Sequence, residues 1–152
     1  MERDRDTTVK GKLCSSSWAL PIALLRAREV VLTRIRPMLA DAGVTEQQWR
    51  VLRVLAEEGP LDPTDIAEKS SLLLPSLTRI LKYLEEQALV KRAAHETDGR
   101  RCVIYITEEG RQLIEDNIQI NNSIYVDLEN AFGKKKLSEL LDLLNDLARL
   151  KS

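Results

Sequence analysis

Histidine occurs once, cysteine twice, and aromatic residues make up only 4% of this 152-residue chain. Each scarcity removes a class of protein. Cys14 and Cys102 are far apart and form no Cys-x-x-Cys pair, so neither a zinc site nor a disulfide framework is expected. With His95 as the single imidazole, no metal-ligand cluster and no nucleophile with an evident base partner can be assembled, and no glycine-rich phosphate loop is present. The chain therefore does not read as an enzyme: no catalytic residue, metal or cofactor is expected. No apolar run is long enough to span a bilayer, and Met1 to Lys12 alternates charges where a signal peptide needs an apolar stretch. The expectation is a cytoplasmic protein with no membrane partner. A net charge of −1 excludes a general nucleic-acid coat, so any DNA surface must be local.

What is present is leucine at helical spacing. Leu20, Ala23, Leu24, Ala27 and Val31 predict a first helix through Arg36, with Pro37 as a candidate kink. Gly43 stops it, and Thr45 with Gln48 forms a capping box for a second helix, which ends at Glu58-Gly59-Pro60. Asp62 followed by Pro63 opens a short helix through Lys69 that turns Ile66 and Ala67 inward. After Ser70-Ser71, Pro75 marks the start of a helix whose stripe is Leu77, Ile80, Leu81 and Leu84. Two helices about a tight turn make a helix-turn-helix. Leu89–Ala94 and Cys102–Thr107 then flank Asp98-Gly99 as a hairpin, the wing. Thr107 caps a long helix to about Phe132, although Gly110 leaves the reciprocal half of its capping box missing. Beyond Gly133, Leu137 to Leu147 defines a last amphipathic helix.

At 100° per residue, the leucine stripe places Pro75, Thr78, Arg79 and Lys82 on the opposite face, flanked by Ser76 and Tyr83. Hydroxyls with Arg and Lys suit a helix in the major groove, where Arg79 is the first choice for bidentate reading of guanine. The competing reading is a solvated amphipathic face. The wing adds His95, Arg100 and Arg101 for the minor groove and Lys91 and Arg92 for phosphates. Asp98 either orients Arg100 through a charge-assisted bond, shapes the turn, or does both. Residues 69 to 101 carry seven basic against four acidic residues, whereas 45 to 68 carry two against six. Basic character is thus concentrated on one helix and one hairpin.

Four motifs in order, Pro75-Ser76-Leu77-Thr78-Arg79, Leu84-Glu85, Asp98-x-Arg100 and Ile106-Thr107-Glu108-Glu109-Gly110, resemble the MarR family over roughly residues 20 to 150. Ser17-Trp18-Ala19-Leu20-Pro21, Leu24-Leu25-Arg26-Ala27-Arg28-Glu29, Thr45 to Arg50 and Leu72 to Leu77 resemble its homoprotocatechuate-pathway repressor subgroup. One departure is Leu74, where many members place a Ser or Thr helix cap. The resemblance implies a mainly α winged helix-turn-helix with a small β-hairpin wing. In one subunit spanning 1–152, residues 45–107 would form the DNA-binding lobe, and 13–42 with 108–152 the dimerisation helices. A homodimer implies a pseudo-palindromic double-stranded operator with half-sites roughly 10 base pairs apart.

The resemblance also implies release from DNA by a small aromatic acid of the hydroxyphenylacetate type. Ser17, Trp18, Arg26 and Trp49 are the candidate effector residues, with Arg50 and Arg53 as further carboxylate partners. The competing reading makes the tryptophans core or interface residues and the arginines surface ions. Two alternatives to the ligand-released repressor stay open: a thiol-based redox sensor using Cys14, and a winged-helix module that binds only protein.

Overall fold

Local signals in the sequence set most of the element boundaries in the computed structural model, which describes residues 15–150. The described residues divide into two compact units at Arg34/Ile35. Helix α1 (Ser15–Ala42) runs through both Pro21 and Pro37 and ends at Gly43, the stop expected from the sequence. There φ is +73°, and the N–H groups of Gly43 and Val44 close on the carbonyls of Ala40 (3.1 Å) and Leu39 (3.2 Å), a helix stop for which glycine is the favoured residue.

Helix α2 (Glu46–Glu58) carries the expected capping box: Gln48 N–H donates to Thr45 Oγ1 (3.2 Å) and Thr45 N–H to Gln48 Oε1 (3.0 Å). Helix α3 (Pro63–Lys69) starts with Asp62 accepting from the Asp65 N–H at 2.8 Å. The turn that follows closes without glycine. Ser71 takes φ +53°, its N–H bonds to Glu68 (3.2 Å), and the Leu72 N–H bonds to Ala67 (2.9 Å). Helix α4 (Leu74–Glu86) begins one residue before Pro75, so its cap is Leu73 rather than Leu74, and no side chain caps it.

Strands β1 (Val90–Ala94) and β2 (Cys102–Ile106) pair antiparallel, Val90 opposite Ile106 and Ala94 opposite Cys102. Each is one residue shorter than its sequence run. Leu89 is drawn into the closure of α4, donating to the Leu84 carbonyl at 2.9 Å, and Thr107 turns to cap α5 (Glu108–Phe132). Leu61 adds a further rung beside β2 through two bonds with Ile104, at 3.2 and 2.8 Å.

The core of the second unit is built from Leu52 and Leu55 of α2, Ile66 of α3, Leu77, Leu81 and Leu84 of α4, and Ile104 of β2, all fully buried. At about 2 kcal/mol per buried side chain, this cluster fixes the helix-turn-helix and the wing to one another. The opposite face of α4 is thereby turned outward. Helix α6 (Lys134–Ala148) buries none of its residues and exposes Leu140, Leu141, Leu143, Leu144 and Leu147. No helix of the described residues is long and apolar enough to cross a membrane.

Candidate nucleic-acid interface and effector cleft

Because Leu77, Ile80, Leu81 and Leu84 are committed to the core, α4 presents Pro75, Thr78, Arg79 and Lys82 fully outward, with Ser76 half-buried at the edge. Thr78 Oγ1 donates back to the Leu74 carbonyl (3.0 Å), which leaves its lone pairs facing out. Among the described residues neither Arg79 nor Lys82 has an ion-pair partner, so both cations are available to an anionic surface. Two residues at the tip were not among the DNA-facing residues read from the sequence: Leu73 is 77% and Leu74 48% exposed. They make an apolar tip beside the cations, chemically suited to thymine methyl groups in a major groove.

The wing divides its charged residues into braced and projecting groups. His95 Nδ1 accepts the N–H groups of Thr97 and Asp98, both at 3.2 Å. Asp98 Oδ1 accepts from the Arg100 main-chain N–H at 3.1 Å, so Asp98 shapes the turn by a main-chain bond rather than gripping the Arg100 guanidinium. Arg101 instead pairs with Asp62 at 2.6 Å, tying the wing to the start of α3. The Asp65 N–H, and after it Arg101, hold the Asp62 carboxyl below its ordinary range. Arg92 is paired with Glu85 (2.8 Å), which raises its pKa further, and its Nη1 lies 3.6 Å from Cys102 Sγ. Lys91 sits over the Tyr105 ring, 5.7 Å from its centroid. Arg100 projects from the tip as an exposed side chain.

A cleft of ≈ 220 Å³ lies on the second unit between α2 and α5. Trp49, 5% exposed, lines it together with Arg50, Arg53, Glu46, Asn121 and Tyr125. Partial burial keeps the Tyr125 phenol protonated above its usual range, opposed by the Arg53 charge and reinforced by Glu46. Arg53 Nε bonds Glu57 at 3.1 Å, and Asn121 is a buried amide on the otherwise apolar face of α5. An indole wall, a phenol donor, an amide and two guanidinium groups can together hold one small ring that carries an acid group. A larger cleft of ≈ 560 Å³ includes Asp41, Glu108, Glu109 and Asp116, whose carboxylates repel an anionic ligand.

Of the sequence-based effector candidates, Trp49 and the further carboxylate partners Arg50 and Arg53 line the smaller cleft. Ser17, Trp18 and Arg26 belong to the first unit, where Trp18 is 70% exposed and Arg26 lines a shallow groove with Val30 and Arg34. Tyr125 and Asn121 were not singled out from the sequence; the available signal was a pair of polar residues at i, i+4 on a helix whose inner face otherwise reads Ile114 and Leu128. Cys14 lies outside the described residues, and Cys102 is half-exposed at the start of β2.

A sequence profile of the MarR family matches residues 42–101. The chain is 41% identical over 132 residues to the HTH-type transcriptional regulator FarR of Neisseria gonorrhoeae, covering 87% of this chain and 90% of the relative. It is 37% identical to the homoprotocatechuate degradative operon repressor of Escherichia coli, covering 87% and 89%. The crystal structure of NadR in complex with 4-hydroxyphenylacetate superposes with a TM-score of 0.78 at 39% identity, over 95% of this chain and 100% of that one.

Proposed function

The chain belongs to the MarR family of transcription regulators, and from that premise we propose that it is a dimeric repressor released from its operator by a small aromatic carboxylate. The observation that carries the ligand half of this reading is the Trp49 cleft, with Arg53 and Tyr125 at its rim. The DNA half rests on the outward face of α4 and the projecting Arg100.

In this reading residues 45–107 hold the operator and residues 13–42 with 108–152 pair with their counterparts in a second copy. The exposed leucines of α6, together with Leu20, Leu24 and Leu25 of α1, supply the apolar surface such a pairing buries. Two-fold symmetry sets the two α4 helices about one DNA turn apart. Arg79 reads bases, Ser76, Thr78, Lys82, Lys91 and Arg92 meet phosphates or base edges, and Arg100 enters the minor groove. A ligand of the hydroxyphenylacetate type, the class bound by NadR, stacks on Trp49 with its carboxylate on Arg53. Occupancy favours a lobe separation that fits DNA poorly.

Replacing Trp18 by Phe leaves Trp49 as the single tryptophan, so its emission reports the cleft directly. Titration with 4-hydroxyphenylacetate is expected to give a saturable change, weakened about tenfold or more in Arg53→Ala through loss of a charged hydrogen bond. Arg26→Ala is expected to leave it unchanged. The reverse pattern would move the carboxylate anchor to Arg26, and no emission change up to millimolar acid would remove the ligand from the reading.

A further inference from the structure

Arg50 connects the cleft to the turn of the helix-turn-helix. Its Nη1 donates to the Ser70 carbonyl at 2.7 Å and lies 3.4 Å from that of Ser71, while Nη2 pairs with Glu46 at 2.9 Å. The remaining donor, Nε, is buried and has no hydrogen-bond partner. The same side chain lines the cleft beside Trp49. One rigid plane thus joins the wall of the cleft to the two residues that link α3 to α4, with one buried donor, Nε, left unsatisfied. Those residues are themselves poised: Ser71 sits at φ +53°, a conformation that side-chain-bearing residues adopt at a cost.

Arg53, the other guanidinium of the cleft, makes a useful contrast. Among the described residues its hydrogen bonds all go to Glu57, one turn along the same helix, so they brace no other element. Arg50 reaches across 20 residues to a different element.

We propose that Arg50 is the positioning residue through which occupancy of the cleft moves the recognition helix. A carboxylate oxygen of the ligand, whose other oxygen sits on Arg53, competes with Glu46 for Nη2 at the cleft wall. Glu46 is displaced, the plane turns, and Nη1 leaves the Ser70 carbonyl. The α3–α4 turn loses its brace and α4 its fixed angle to the lobe. This deepens the ligand-released reading above and rests on it.

The test compares operator affinity with and without saturating 4-hydroxyphenylacetate in wild type, Arg50→Met and Arg50→Lys, all carrying Trp18→Phe so that Trp49 emission reports the acid in each. Wild type is expected to lose tenfold or more in operator affinity on adding acid. Both variants are expected to bind operator and acid with affinities lowered several-fold, yet to show less than a twofold effect of one on the other. By linkage the acid then binds the free protein and the operator complex equally in the variants. Arg50→Lys keeps the charge but replaces the fork with a compact ammonium, and guards against failure of Arg50→Met to fold. A residue with only a structural role would lower both affinities and leave the wild-type ratio intact, which would overturn the proposal while sparing the repressor reading. Acid that binds wild type without weakening operator binding would overturn both.

Discussion

Arg79→Ala is expected to weaken binding of the dimer to its operator about a thousandfold while leaving the melting temperature unchanged. Arg79 stands on the outward face of α4, opposite the buried Leu77–Leu84 stripe, with no ion-pair partner among the described residues. Its removal thus costs the fold nothing. A bidentate contact with guanine is worth about 1–3 kcal/mol, and a two-fold dimer makes it twice, so the loss is about 4 kcal/mol per complex. Affinity for random DNA should fall far less, because that affinity comes from phosphate contacts. Lys91→Ala offers the contrasting pattern, a uniform weakening across sequences with a shallower salt dependence. If Arg79→Ala weakened operator and random DNA equally, Arg79 would be a phosphate contact and base reading would have to come from elsewhere on α4 or the wing.

The second large effect is on stability. Gly110→Ala would ordinarily help a helix by about 1 kcal/mol, but here it is expected to destabilise the chain by about 3 kcal/mol through overpacking. A Cβ at this position would lie 2.2 Å from the Leu89 carbonyl oxygen and 2.8 Å from Ile106 Cγ1. The Leu89 carbonyl cannot retreat freely, since it accepts the Thr107 N–H at 3.1 Å. Thr107 in turn caps α5 and donates through its hydroxyl to Ala88 at 2.7 Å. The glycine lets α5 leave the hairpin at close range, a packing reason for the Thr107-to-Gly110 motif. Thermal unfolding at one fixed protein concentration should show a midpoint lower by about 10 °C; a midpoint at or above wild type would mean the backbone yields at no cost.

The elements legible in the sequence are those written locally. Thr45 with Gln48, Asp62 with Pro63, and Gly43 announce their boundaries within four residues, and the 3.6-residue stripe of α4 identifies its exposed face without further information. The Ser70-Ser71 turn marks the end of α3, but nothing local says that Ser71 and Ala88, residues with side chains, occupy the left-handed position where glycine is the usual signal. The site was legible to the extent that it lies on one helix and one hairpin. What the sequence could not supply was pairing across distance. Arg101 with Asp62 spans 39 residues, and Arg50 with Ser70 spans 20. The effector cleft is the extreme case: Trp49 and Tyr125 are far apart in sequence and meet only because α2 packs against α5. Tryptophan alone did not separate the buried Trp49 from the exposed Trp18; tertiary burial does.

In the proposed mechanism one dimer recognises a specific DNA sequence and releases it when the cleft fills. The most direct test measures binding of the purified protein to the DNA flanking its own gene, against random duplex, across a salt series, with and without 4-hydroxyphenylacetate. The expected result is specific binding that weakens steeply with salt and is lost at each salt concentration on adding the acid. Specific binding indifferent to the acid would contradict the release mechanism, and no preference over random DNA at any salt would contradict the account as a whole.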